Sequence, residues 1–168
     1  MLSSSKYNPK KAIMHITYLC ENIFNLDKQK YVLAHCVATD LGMGAGIAKI
    51  FREKYGGVDY LKSQHPKVGG LCHQADESSL QLLVYLTTKL RSRDVPTLAN
   101  IRSSLVELKD LMLEHKYTEL AIPTIACGLD RQSWVNIEKM LRDVFRSTSI
   151  NITVCYLPAG KEILNGFV

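Results

Sequence analysis

Residues 31–48 read Tyr31-Val32-Leu33-Ala34-His35-Cys36-Val37-Ala38-Thr39-Asp40-Leu41-Gly42-Met43-Gly44-Ala45-Gly46-Ile47-Ala48. The run from Tyr31 to Val37 is almost continuously apolar, the pattern of a strand buried on both faces. Beyond it Gly42, Gly44 and Gly46 stand at alternate positions. They let the backbone turn sharply and approach a ligand closely. Ile47, Ile50, Phe51 and Tyr55 then fall on one helical face, and Gly56-Gly57 ends the helix. A buried strand, a glycine-rich turn and a helix make an α/β unit, whose ligands bind beyond the carboxyl ends of the strands.

The same alternation runs through the rest of the chain. Ile13 to Leu19, Leu80 to Thr88, Glu119 to Pro123 and Ile150 to Leu157 read as strands, with a short one over Val68 to Cys72. A helix is expected from Thr97 to His115, burying Leu98, Ile101, Leu105, Leu108 and Met112. Another follows Ser133 as N-cap and buries Trp134, Ile137, Leu141, Val144 and Phe145. Strands alternating with helices give a three-layer α/β/α domain. Residues 1–11 are polar and read as a flexible tail, and 12–168 as a single domain with no repeat or linker.

Bulk properties narrow the function. A chain of 168 residues, 46% apolar and 22% charged, has the composition of one globular domain. The formal charge of +5 suits an anionic ligand, but Lys and Arg are scattered and form no dense nucleic-acid stripe. The cysteines Cys20, Cys36, Cys72, Cys127 and Cys155 are odd in number and include no CxxC pair, so neither a disulfide framework nor a zinc site is expected. No signal-peptide core or membrane-length apolar run is present, and an intracellular protein, nuclear or cytoplasmic, is expected.

A second loop, Ile125-Ala126-Cys127-Gly128-Leu129-Asp130-Arg131, again separates a strand from a helix. The helix N-terminus behind a glycine-rich loop offers unpaired N–H groups and a positive dipole end, and its natural partner is a phosphate. Neither loop has the GxGxxG or Walker A spacing. Either alone could be a tight turn without a ligand; two at one sheet rim suit a diphosphate, each phosphate on its own set of amides.

Taken together, Leu33-Ala34-His35-Cys36, Gly42 to Ala48 and Ile125 to Arg131 resemble the macrodomain family. They are most similar to its terminal ADP-ribose protein glycohydrolase branch, also described as O-acyl-ADP-ribose deacylases. Ile16-Thr17-Tyr18, Tyr85-Leu86-Thr87-Thr88-Lys89 and Pro96-Thr97 keep the same order, so the resemblance spans about Ile16 to Tyr156. It implies a three-layer α/β/α macrodomain with a central mixed sheet flanked by helices. It also implies an ADP-ribose site formed by Asn22, Ile23, His35, Gly42, Met43, Gly44, Ala45, Gly46, Ile47, Ala48, Thr88, Ile125, Ala126, Cys127, Gly128, Leu129, Asp130 and Tyr156. Lys89 and Asp130 match the family's hydrolytic lysine and aspartate, and no metal or cofactor is implied. Implied partners are ADP-ribose, ADP-ribosylated proteins, O-acyl-ADP-ribose and ADP-ribosylated nucleic acid; no membrane partner is implied, and the protein is expected to be monomeric. Where the family places an aspartate for the adenine amino group, this chain has Asn22, a neutral acceptor, with Glu21 as the neighbouring substitute.

The chemistry can also be argued from the residues. An amine can attack the anomeric carbon of a ribosyl ester, or the aldehyde of the opened sugar, and a nearby carboxylate can serve as acid or base. A reader that only binds ADP-ribosylated partners needs neither Lys89 nor Asp130; for such a protein Lys89 is a solvated strand-end lysine and Asp130 a charge favouring the next helix. Phe24 and Tyr156 are candidates to line the base and ribose pockets or to pack in the core. Arg131 reads as surface charge. Cys127 with His35 or His65 offers a competing Cys–His hydrolase, and a nucleic-acid module rests only on the basic balance.

Overall fold

The computed structural model describes residues 13–128 and 130–160; the tail expected over 1–11, the outermost residues of the 12–168 domain and Leu129 of the second loop lie outside the described residues. Six strands, β1 (His15–Cys20), β2 (Val32–Ala38), β3 (Gly70–Ala75), β4 (Leu82–Lys89), β5 (Glu119–Ile122) and β6 (Asn151–Tyr156), form one sheet in the order β1-β6-β5-β2-β4-β3. All neighbours are parallel except β3, which pairs antiparallel with β4 at one edge. The sheet is therefore mixed, as the family resemblance implies.

Helices α1 (Gly46–Tyr55) and α2 (Val58–Ser63) cover one face; α3 (Leu98–Glu114) and α4 (Trp134–Phe145) cover the other. The pleat of β2 divides its side chains between the two cores. Val32 and Ala34 join Ile101, Leu105, Leu108, Met112 and the α4 residues Trp134, Ile137 and Leu141; Leu33 and Val37 join Phe51, Leu61 and Tyr85. Each fully buried aliphatic side chain stabilises the fold by about 1.5–3 kcal/mol relative to exposure.

Several boundaries differ from those read in the sequence. Leu98, expected in the α3 stripe, remains exposed because it begins the helix, immediately after the Thr97 cap whose hydroxyl accepts from Asn100 N. Ile50, expected on the buried face of α1, is about half exposed while Phe51 is fully buried. Leu80 lies outside β4 with a left-handed backbone (φ 62°), its amide closing a turn onto Asp76 O. β3 starts at Gly70 and runs to Ala75, later than expected, because its span is set by pairing with β4. α2 and a 3-10 turn over Ile23–Asn25 carry no clear periodic signal at their short lengths. Ser133 caps α4 by position but makes no side-chain cap hydrogen bond.

One irregularity bears on function. In the β2–β4 ladder Val37 faces Thr87 but Ala38 faces Lys89, so Thr88 is an extra residue without a partner on β2. A bulge of this kind bends the strand and re-aims the side chain beside it. Here that side chain is Lys89.

Candidate functional site

The glycine-rich loop after β2 and the loop after β5 lie at the same rim of the sheet. Between them is a cleft of about 340 Å³. Met43 to Ala48 form one wall; Pro123, Thr124, Ile125, Ala126 and Gly128 form the other. Cys36, Val37, Ala38, Lys89, Ser92 and Asp130 complete the lining.

The first loop is braced by side chains. Asp40 Oδ1 accepts from Gly42 N (3.0 Å) and from Ser92 Oγ (3.0 Å), and its Oδ2 accepts from Ser92 N (3.1 Å). Arg52 of α1 donates to Gly42 O at 2.8 Å. Partial burial pushes the Asp40 carboxyl up. The hydrogen bonds from Gly42 and Ser92 and the positive charge of Lys89 outweigh it, so the group stays below its ordinary value. Leu41 and Met43 hold left-handed backbones (φ 51° and 44°) and bury their side chains. A Cβ added at Gly44 or Gly128 would meet no atom within 4 Å among the described residues. Both glycines therefore keep the cleft open rather than relieve a clash within the fold.

The second loop is held by its own backbone. Ile125 N donates to Pro123 O, Arg131 N to Gly128 O and Gln132 N to Ala126 O. This folding carries Asp130 across the cleft to β4, where Lys89 Nζ donates to Asp130 Oδ1 at 2.7 Å. Both side chains retain 13% exposure. They are sheltered enough for a strong charge-assisted bond and open enough for a ligand to reach.

The surrounding thiols are protonated. Burial pushes Cys36 up to about 12, the Asp130 charge adding to it while Thr88 and Lys89 oppose it. Burial, with Asp130, does the same to Cys127, also about 12. His35 is fully buried, stacked on Phe51 (centroids 3.8 Å apart) and edge-on to Tyr85. Neither ring nitrogen has a partner, and burial lowers the imidazole to about 3. His65 is exposed after α2. These positions and protonation states are the opposite of what a thiolate–imidazolium nucleophile needs, so the Cys–His hydrolase reading is corrected.

Other expected site residues also fall outside the cleft lining. His35 belongs to the α1-side core, because the pleat of β2 turns it to the face opposite Ala34. Cys127 is fully buried beneath its loop, and Thr88 is fully buried at the bulge. Ile23 is buried, and Phe24 packs on Phe51 and Tyr55. Asn22 does not line the cleft; its Oδ1 accepts from Phe24 N at 3.0 Å as the cap of the 3-10 turn. Glu21 accepts from Asn22 N and Asn25 Nδ2, bonds that hold its carboxyl below the ordinary value. Tyr156 ends β6, half-buried and away from the lining. Gly42 supports the loop from behind through Asp40 and Arg52.

Sequence reading passed over Cys36, Val37, Ala38, Ser92, Pro123 and Thr124 as lining residues and assigned Asp40 no role. Ser92 and Thr124 each lie just beyond a strand's carboxyl end, and the rule that placed the two loops could have marked them too. Cys36 gives no such signal, since a small apolar residue within a strand reads as core.

No family model matches the sequence. The chain is 39% identical over 154 residues to human (Homo sapiens) ADP-ribose glycohydrolase OARD1, covering 92% of this chain and 98% of that protein. Among solved structures, the macrodomain of Mycobacterium tuberculosis DarG superposes with a TM-score of 0.74 at 21% identity, over 83% of this chain and 96% of the other. Thermosipho africanus DarTG in complex with ADP-ribose gives 0.72 at 17% identity, over 91% of this chain and 46% of that one. At those identities the structural likeness is one of fold.

Proposed function

The chain belongs to the macrodomain family, in the branch of ADP-ribose glycohydrolase OARD1, and from that footing we propose that it is an ADP-ribose-binding hydrolase. Its substrates are mono-ADP-ribose esters of acidic side chains and O-acyl-ADP-ribose. The carrying observation is the 2.7 Å contact between Lys89 and Asp130 in a cleft walled by two glycine-rich loops.

The diphosphate lies between the loops on backbone N–H groups, with the positive end of α1 behind the first loop. The terminal ribose then meets Lys89. Asp130 takes a proton from the Lys89 ammonium, and the freed amine attacks the anomeric carbon. The bond from that carbon to the acceptor oxygen breaks, and its electron pair leaves with the carboxylate. Water adds to the same carbon as the lysine nitrogen departs, and the nitrogen takes water's proton to become ammonium again. The proton on Asp130 passes to solvent. The net reaction consumes one water and releases ADP-ribose, a carboxylate and a proton. Opening of the ribose ring in the lysine adduct, after the carboxylate has left, turns it into an imine, whose hydrolysis by water frees Lys89.

The test is turnover of a peptide carrying ADP-ribose on a glutamate, with borohydride added to trap an imine. Release of ADP-ribose, and a reduced adduct on Lys89 that Lys89→Ala lacks, are expected. Undiminished turnover in Lys89→Ala would remove the covalent route. Tight ADP-ribose binding with no turnover of ester or O-acyl substrates would make the protein a reader instead.

A further inference from the structure

The segment between β4 and α3 belongs to neither phosphate-binding loop, yet it is stapled to both. Thr39 Oγ1 donates to Leu90 O (2.7 Å) and Asp40 accepts from Ser92, joining the segment to the first loop. Gln132 Nε2 donates to Pro96 O (2.9 Å), joining it to the second. Ser92 lines the cleft together with Lys89, so this segment borders the place where a ribose would meet that lysine.

Its surface has a definite character. Arg91 and Arg93 are exposed on either side of Ser92, and Arg131 is exposed next to Asp130. Among the described residues the ion pairs of arginines involve Arg102, Arg142 and Arg146, and none is made by these three. The nearby carboxylates are turned inward onto backbone amides, Asp40 to Ser92 N and Asp94 to Arg91 N. Interleaved with the arginines are exposed aliphatic residues, Leu90 (57%) and Val95 (58%). A single-strand nucleic-acid platform would alternate cations with aromatic rings on which bases stack, and residues 90–98 contain none.

We propose that residues 90–95 and Arg131 form an acceptor platform that selects proteins whose ADP-ribosylated side chain sits in an acidic stretch containing an aliphatic residue. Acidic neighbours meet the exposed arginines, and the aliphatic residue packs on Leu90 and Val95. This rests on the reading of the cleft as an ADP-ribose site, and adds to it a choice among acceptors that the ADP-ribose moiety cannot make.

The test uses glutamate-linked ADP-ribosyl peptides with acidic, neutral or basic flanks, an ADP-ribosylated single-stranded oligonucleotide, and free ADP-ribose. Binding and kcat/KM are measured at low and at raised salt. The acidic-flanked peptide should exceed the neutral one by about 10-fold at low salt, with the gap narrowing as salt screens it. Arg91→Ala/Arg93→Ala should remove most of the preference while leaving affinity for free ADP-ribose unchanged. Arg91→Lys/Arg93→Lys, which keeps the charge, should retain it. Replacing the peptide's aliphatic residue by Gly should weaken binding to the wild type, and not to Leu90→Ser/Val95→Ser.

Equal binding of acidic and neutral peptides beside normal ADP-ribose affinity overturns the platform alone. So does a preference that survives Arg91→Ala/Arg93→Ala undiminished, or an oligonucleotide that outcompetes the acidic peptide. Absence of ADP-ribose binding overturns the underlying function and the platform with it.

Discussion

The two loops that wall the cleft do the same geometric job by different means. The loop after β2 is braced by side chains, its own Asp40 together with Ser92 and the Arg52 guanidinium, and presents no ionisable side chain of its own to the cleft. The loop after β5 is braced by its own backbone and delivers a carboxylate onto Lys89. A loop that only grips should be stiff and chemically silent; a loop that reacts must place one side chain, and a compact backbone turn places it. On the proposed function, the first is a clamp and the second joins grip to reaction.

Removing the same charge from each loop tests that division. Asp130→Asn should lower kcat about 10²–10⁴-fold, the usual loss for a positioned acid or base, while ADP-ribose affinity changes by only a few-fold. Should affinity collapse and kcat at saturation hold, the roles of the loops are reversed. Gly44→Val and Gly128→Val come next. Each new side chain has room within the fold but projects where a phosphate would sit. ADP-ribose affinity measured by calorimetry should fall about 10-fold or more, the loss of roughly one charge-assisted hydrogen bond, with the thermal midpoint nearly unchanged. If only one of the two weakens binding, that loop alone grips.

Asp40→Asn should act more gently. The amide nitrogen that replaces Oδ2 cannot accept from Ser92 N, and a loss of about 1 kcal/mol corresponds to about 5-fold weaker ADP-ribose binding. Saturated turnover should hold; a large fall in kcat would make Asp40 part of the reaction rather than of the clamp.

The last prediction separates acid effects in the cleft from those in the core. His35 is lowered to about 3 by burial and stays neutral when folded, whereas an unfolded chain protonates it near the ordinary 6.5. Between those values the unfolded state binds the extra proton, so this residue's contribution is fully present above 6.5 and is lost as pH falls toward 3. The slope is at most about 1.4 kcal/mol per pH unit. Urea unfolding at pH 7, 5.5 and 4.5 should show a shallower loss for His35→Leu than for the wild type. Parallel slopes would mean that the acid sensitivity lies elsewhere.

Local pattern made most of the scaffold legible. The buried run Val32 to Ala38, the stripe Ile101, Leu105, Leu108 and Met112, and the stripe of α4 are periodic signals that burial rewards directly. Both loops were marked by glycine just past strand ends, and Lys89 and Asp130 by family resemblance. His35 packs on Phe51 and Tyr85 in the α1-side core, and the helix that covers its face of β2 is not marked in the local pattern. Asn22 caps the 3-10 turn that follows it, a contact that the residue order alone does not mark.

Thus the chain's own order of residues determined the alternating α/β scaffold, the location of its glycine-rich turns and the residue types available for chemistry, since all three follow from short-range periodicity and backbone freedom. Tertiary structure alone decided that Lys89 and Asp130, 41 residues apart, meet at 2.7 Å. It also produced the bulge at Thr88 beside that lysine and the inward turn of His35. These depend on strand register and on which surfaces pack together, and both are set by pairings across the whole domain.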